Sequence, residues 1–318
     1  MAKILFLGCN NDQLPYLRSA QDLGFTVIGT DMNANAPGAK LADRFYNISY
    51  TDIDGLKHAA EIEDWSGEDR IFTAAAHFAY EGASKLAAAL GIPFISPDAV
   101  DTCLDKVKFY SLLNECNVPV PPTKLYKAAG PAELDIGKVY FLKSDYGKSP
   151  NYCYRIANGQ IPSLPKEYDP FYRRHFLIQE EVRGTHYRIN LYAGQVSVFM
   201  KFSDTASLPI RVLGPGHDEV INRLRKVVFA LGLENMLAKF DLIVNEEGWY
   251  VIDIGLDPPM RLNLLCEYIR FDLPAAYVRY YLLGDVSAMP VWDDICKSVV
   301  IQGSPQGGFN FIQVEERK

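Results

Sequence analysis

Apolar runs alternate with amphipathic stretches from the start of the chain. Residues 3–8, KILFLG, form a short unbroken apolar run, which predicts a buried strand. QLPYLRSAQDL (13–23) carries helical periodicity and stops at Gly24, and FTVIGTD then reads as a second strand. A βαβ start favours a parallel sheet. The pattern continues more weakly: DIDGLKHAAEI reads as helix, RIFTAAA as strand, AYEGASKLAAALG as helix with a glycine stop, and PFIS as strand. These elements predict a Rossmann-like domain over residues 1–97.

Past Pro97 the pattern changes. DAVDTCLDKVKFYSLLNEC predicts one helix with Asp98 as a candidate cap, and the prolines of NVPVPPT force extended chain after it. KVYFLKSD and HFLIQEEV read as strands, with a loop at Tyr146–Tyr152 between them. THYRINLYAGQVSVFMKF predicts a hairpin turning at Ala193-Gly194, and DEVINRLRKVVFALG an amphipathic helix. DLPAAYVRYYLLG predicts a last helix, and the stretch from 285 carries no clear pattern.

FDLIVNEEGWYVIDI (240–254) is strand-rich on both sides of Asn245-Glu246-Glu247-Gly248. A three-residue turn, Glu246 to Gly248, would set Asn245 opposite Trp249, Ile243 opposite Val251 and Asp241 opposite Asp253. Directly opposed carboxylates have Cβ atoms ~5 Å apart and repel, so a shared divalent cation is the natural compensation. A two-residue turn would slip the register by one and set Asp241 opposite Ile252. The hairpin alone leaves the two readings level.

Composition narrows the classes. A net charge of −7 over 318 residues argues against nucleic acid or an anionic membrane as the main partner. The six cysteines form no C-x-x-C pair, which suits a reducing cytoplasm and disfavours a zinc cluster or disulfide framework. MAKILFLGCNND has too short an apolar run for a signal peptide, and no stretch approaches the ~20 apolar residues of a membrane helix. The loop after the first strand, Gly8-Cys9-Asn10-Asn11-Asp12-Gln13, lacks G-x-G-x-x-G. That disfavours a nicotinamide site even though Asp31 ends the second strand where a ribose acceptor would sit.

Five stretches in order, KILFLGCNNDQLPYLRSAQDLGFTVIGTD, DKVKFYSLLNECNVPVPPT, FLKSD, LIQEEVRG and FDLIVNEEGWYVIDI, resemble the ATP-grasp superfamily, in its branch similar to carbamoyl-phosphate synthase and biotin carboxylase. The resemblance covers residues 3 to 284. It implies an α/β ATP-grasp fold: a Rossmann-like preATP-grasp domain (1–97), a small lobe with its lead-in helix (98–178) and a large lobe (179–318), the two lobes clasping the nucleotide. It implies an ATP-dependent carboxylate–amine ligase working through an acyl phosphate. Lys106 and Lys143 would reach the ATP phosphates, the backbone of Glu181 and Val182 would read the adenine edge, and Glu180 would accept from its amino group. His186 stands where the family usually holds the ribose with an acid. Asp241 and Asp253 would hold Mg²⁺, with Mn²⁺ as an alternative ion, and that role favours the three-residue turn and the facing register.

The chain departs from the family in two places. The loop after Lys143 has one glycine, Gly147, where the family has several to bring backbone N–H groups onto phosphate. Past Asp253, Gly255 replaces a metal-binding Asn and Asp257 replaces an Arg. Asp257 could ligate metal or bind an amine, and Arg261 could supply the missing cation. Candidate contacts for the acid and amine substrates are Asn10, Asn11, Asp12, Asp31, His77, Tyr80, Glu81 and Arg211, with His77 at a predicted strand end ranked first. Two rival readings stay open: carbamoyl or carboxyphosphate chemistry on a small nitrogen substrate, and a nucleotide-binding protein without catalysis that assembles or senses. YVRYYLLG would suit a homodimer contact as well as a core.

Overall fold

The computed structural model describes residues 2–75, 77–126, 134–147, 152–164, 175–192, 195–203, 206–210, 217–289, 299–304 and 308–313. The chain opens on a parallel sheet of β1 (Lys3–Leu7), β2 (Thr26–Thr30), β3 (Arg44–Tyr46) and β4 (Arg70–Phe72), in the order β3-β2-β1-β4. Helix α1 (Leu14–Asp22) joins β1 to β2, α2 (Ile53–Ile62) joins β3 to β4, and α3 (His77–Leu90) follows β4. Ile4 to Leu7 are fully buried, because helices cover both faces of a parallel sheet; hence the unbroken apolar run in the sequence. PFIS is not a strand: Ser96 instead caps the next helix, its Oγ accepting from the Ala99 N–H.

The single helix expected over 98–116 is two, α4 (Pro97–Leu104) and α5 (Lys106–Glu115). Asp105 breaks it with extended backbone (φ −92°, ψ 106°) and caps α5 by accepting from the Val107 and Lys108 N–H groups. A one-residue break leaves the helical periodicity almost in phase, so the pattern hides it.

Strands β5 (Thr123–Tyr126), β6 (Tyr140–Ser144), β7 (Cys153–Ile156) and β8 (Phe176–Glu180) form an antiparallel sheet in the order β5-β8-β6-β7. After it come β9 (Thr185–Tyr192), β10 (Gln195–Phe202), β11 (Ala206–Ile210), α6 (His217–Ala230), β12 (Leu237–Asn245), β13 (Gly248–Gly255), α7 (Met260–Tyr268), α8 (Leu273–Leu283), β14 (Val299–Gly303) and β15 (Phe309–Gln313). The strands order as β13-β12-β9-β10-β11-β14-β15. The patternless stretch after 285 thus adds the far edge of this sheet. The expected turn at Ala193-Gly194 lies outside the described residues, and β9 and β10 pair from Tyr192 opposite Gln195.

An aromatic wedge joins the first sheet to the helices of the third. Tyr16, Phe72, Tyr277 and Tyr281 are in ring contact, with the Tyr16–Phe72 centroids 5.7 Å apart and Phe72–Tyr281 5.3 Å. The Tyr281 hydroxyl donates to the Ile71 carbonyl at 2.7 Å, and Asn263 donates to Tyr16 Oη at 3.0 Å. Tyr277, Val278 and Tyr280 of YVRYYLLG are therefore core residues of their own chain. This packing fixes the start of α3, and with it His77, beside the end of β13.

Candidate active site

A cavity of about 830 Å³ is walled by β6, β8, the segment Glu181–Gly184, β9 and the β12–β13 hairpin. That size suits a nucleotide-sized ligand. At one end Lys143 is buried and donates to Tyr110 Oη at 2.7 Å and Gln179 Oε1 at 2.8 Å. Burial pushes its ammonium down to about 8, against the pull of Asp253. The segment leaving β8 forms the rim. The Glu181 N–H is engaged by the Val139 carbonyl at 2.8 Å. The Glu181 carboxylate is gripped by Arg155 at 2.7 and 2.9 Å, which lowers its pKa, and Glu180 pairs with Lys138 at 2.8 Å. Gly184 follows because a Cβ there would come within 2.4 Å of the Val244 carbonyl.

The hairpin resolves the register question in an unexpected way. Its turn has two residues: Asn245 pairs with Gly248 and Val244 with Trp249. Asn245 Oδ1 accepts from both the Glu247 and Gly248 N–H groups, which stabilises the tight form over the three-residue turn. Yet Asp241 does face Asp253, because Leu242 pairs with Val251 and Ile252 is bulged out. The bulge restores what the short turn would have lost. Both aspartates line the cavity.

Part of the expected repulsion is met within the protein. Arg188, opposite Asp241 on β9, binds both its oxygens at 2.9 and 2.8 Å, and His186 Nε2 stands 2.9 Å from Oδ1. Burial alone would raise the Asp241 carboxyl; the His186 hydrogen bond and the Arg188 guanidinium outweigh it and hold it at about 2. Asp241 is thus ionised at neutral pH. Two hard carboxylates fit a divalent ion that takes its remaining ligands from phosphate. Gly255 offers no side-chain donor, and among the described residues no group of three or more His, Cys, Asp and Glu side chains is placed to hold a metal.

Beyond the aspartates, Lys239 pairs with Gly255 across the hairpin. Its Nζ lies 2.7 Å from Asp257 Oδ2, and both side chains are largely buried. His77 Nε2 lies 2.7 Å from Asp257 Oδ1, an ion-pair distance whose angle is off the line of a hydrogen bond. All four residues line the cavity.

Of the residues singled out from sequence, His77, Lys143, Glu180, Glu181, Val182, His186, Asp241, Asp253 and Asp257 come together on the cavity wall. Others stand elsewhere. Lys106 is buried beneath the small sheet, where its Nζ donates to the Gly147 carbonyl at 2.6 Å. Arg261 is not on the cavity wall: its guanidinium donates to Ser207 Oγ and stacks over Phe309 and over Phe202, the ring that also stacks on His186. Asn10 caps a short 3₁₀ turn, and Asp31 accepts from the Cys9 and Asn33 N–H groups. Glu81 pairs with Lys85 one helical turn away. Arg211 and the loop residues 148–151 lie outside the described residues.

No family model matches the sequence, and no curated protein matches it. Solved structures do. An N5-carboxyaminoimidazole ribonucleotide synthetase from Thermotoga maritima superposes with a TM-score of 0.72 at 17% identity, covering 95% of this chain and 80% of that one. The fold is ATP-grasp. An L-amino acid ligase from Bacillus licheniformis gives 0.68 at 16% identity, over 94% of this chain and 78% of the other. The biotin carboxylase domain of the Hydrogenobacter thermophilus 2-oxoglutarate carboxylase, solved with magnesium ADP, ADP and bicarbonate, gives 0.69 at 15% identity, over 94% and 73%. In this fold the sequence reading overlooked Tyr110, Gln179, Arg188 and Lys239. The last two carried a signal: Arg188 lies two residues from His186 and Lys239 two from Asp241, hence on the same strand faces.

Proposed function

We propose that the protein is an ATP-dependent carboxylate–amine ligase, with residues 1–97, 98–178 and 179–318 as its preATP-grasp domain, small lobe and large lobe. The observation that carries this is the facing pair Asp241 and Asp253 in a cavity that also presents Lys143 and a hinge-like rim. Adenine would lie along the rim, read by the Glu181 carbonyl and the Val182 N–H. Lys143 would neutralise phosphate oxygens as a compact charge. Asp241 and Asp253 would hold a magnesium ion, which supplies positive charge over the phosphate oxygens when bound. A carboxylate oxygen attacks the γ-phosphorus, the bond to the β-phosphate oxygen breaks, and ADP leaves with the electron pair. An amine then attacks the acyl carbon, phosphate departs, and the nitrogen loses a proton to give the amide.

Arg188 on Asp241 favours a second reading, nucleotide binding without turnover, because the guanidinium competes with a metal for the same oxygens. ADP release from MgATP separates the two. Pools of amino, hydroxy and sugar acids, bicarbonate and small amines are supplied, with Asp253→Asn as control. The ligase releases ADP with one pool and loses it in the control. Binding of MgATP with no ADP from any pool overturns the ligase.

A further inference from the structure

Resting on the nucleotide-binding part of the ligase reading, we infer that Arg188 makes the metal affinity of Asp241 and Asp253 conditional on nucleotide: it keeps the pair from taking a free divalent ion and leaves it open to one that arrives with phosphate. Two opposed carboxylates in a cavity attract any small dication. This pair is asymmetric. The Arg188 fork binds Asp241 at both oxygens, at 2.9 and 2.8 Å, and His186 Nε2 stands 2.9 Å from Oδ1. Asp253 makes no hydrogen bond or salt bridge among the described residues. Any cation on Asp241 therefore shares its oxygens with a guanidinium, while Asp253 stays open.

Arg188 is fixed beside Asp241 by more than the ion pair. The two residues are direct partners in the β9–β12 ladder, so strand pairing holds their side chains together. The guanidinium lies 5.3 Å from the centroid of the Phe202 ring, and His186, the ladder partner of Phe202, stacks on the same ring at 4.8 Å. Both members of the pair are mostly buried, where salt screens them little. Arg261 brings a second guanidinium to that ring at 5.1 Å. Burial and the Arg188 charge together lower the Arg261 pKa, so the two cations feel each other. Two positive groups thus stand on the Asp241 side, and their repulsion offsets much of what the carboxylates offer a free dication. Among the described residues no third His, Cys, Asp or Glu joins the pair as a ligand. Nucleotide phosphate supplies both missing parts, oxygen ligands and the negative charge that balances Arg188. Arg188 is a positioning residue in this scheme: it holds Asp241 ionised and in place, and it discriminates between a bare ion and one carried by nucleotide.

The test uses the full-length protein at neutral pH without nucleotide, with Mn²⁺ as the probe and free Mn²⁺ read by electron paramagnetic resonance. Arg188→Gln keeps amide donors for Asp241 and removes the charge, and Arg188→Lys keeps the charge. Arg183→Gln removes a like charge at the rim, where Arg183 pairs with Glu181. The inference expects Arg188→Gln to bind Mn²⁺ at least about tenfold more tightly than wild type, with Arg188→Lys and Arg183→Gln within about threefold of it. Adding Asp253→Asn to Arg188→Gln should abolish the gain. Unchanged affinity in Arg188→Gln overturns the inference. So does an equal gain in Arg183→Gln, which would reduce the effect to net charge, or a gain that survives Asp253→Asn. Wild type gives a second measurement that needs no variant to fold: ADP affinity by calorimetry, with Mn²⁺ and with EDTA. Affinity at least about tenfold higher with Mn²⁺ supports the coupling, and equal affinities overturn it. Neither readout uses turnover. A protein that responds in this way yet releases no ADP with any acid pool loses the ligase reading and keeps this inference. Failure of ADP to bind at all overturns both.

Discussion

The loop after β1 and the β12–β13 hairpin both carry acids and amides at strand ends, yet they spend them differently. In the loop, Asn10 caps the turn that follows it, and Asp31 accepts backbone N–H groups from Cys9 and Asn33. Every partner is a nearby backbone group, so these side chains hold the loop's own shape. In and just past the hairpin, Asp241 meets Arg188 and His186 from β9, and Asp257 meets Lys239 from β12 and His77 from the start of α3. Charges gathered from distant segments into one cavity wall cost desolvation and stabilise little on balance. Their arrangement is better explained by chemistry on a bound ligand than by stability.

Substitutions can break that contrast. Asp253→Asn should lower ADP release by about a thousandfold or more with little change in melting temperature, because it removes charge stabilisation of the phosphoryl transfer. Asp31→Ala should do the reverse: about 1–3 kcal/mol lost in urea denaturation, chiefly from the buried Cys9 N–H left without an acceptor, and ADP release within about threefold. An Asp31 variant as inactive as the Asp253 one would erase the distinction.

Lys143→Met should weaken MgATP by about 100-fold in calorimetry, the loss expected for a buried charge-assisted contact. The same residue gives opposite pH signs for binding and stability. Its folded pKa of about 8 lies below the ordinary lysine value of 10.5. Between these two values the unfolded chain binds the extra proton, so stability rises with pH across that window and the penalty is full below it. Affinity for phosphate needs the charge, so it falls as pH rises through about 8. Flat MgATP affinity from pH 7 to 9.5 would remove Lys143 from the phosphate site. Glu181→Gln should matter least: its carboxylate is held by Arg155 outside any expected nucleotide contact, and KM for ATP should move less than about threefold.

Much of the ATP-grasp architecture could be read from periodicity, because long amphipathic helices and buried parallel strands leave strong patterns. What escaped was short or slightly out of phase. Arg44–Tyr46 is too brief to alternate, Asp105 breaks a helix without shifting its stripe, and the edge strand β15 has no heavily buried face to pattern. Lys143 was legible as a charge ending an apolar strand. The site residues hardest to place were those whose chemistry depends on direction. Arg261 follows two prolines and reads as a cation for the site; its guanidinium packs against Phe202 and Phe309, and the Phe202 ring also stacks on His186 of the cavity wall. The hairpin turn misled too, since a bulged ladder with a two-residue turn and an unbulged one with a three-residue turn both place Asp241 opposite Asp253.

The bulge has a mechanical side as well. Ile252 drops out of the ladder, and its carbonyl accepts from the Tyr110 hydroxyl at 3.0 Å, while the same hydroxyl oxygen receives the Lys143 ammonium at 2.7 Å. One phenol on α5 is therefore a strut between the strand that carries Lys143 and the hairpin that carries the aspartates. That strut ties the separation of Lys143 from the hairpin to a single side chain. Tyr110→Phe would cut it at both ends.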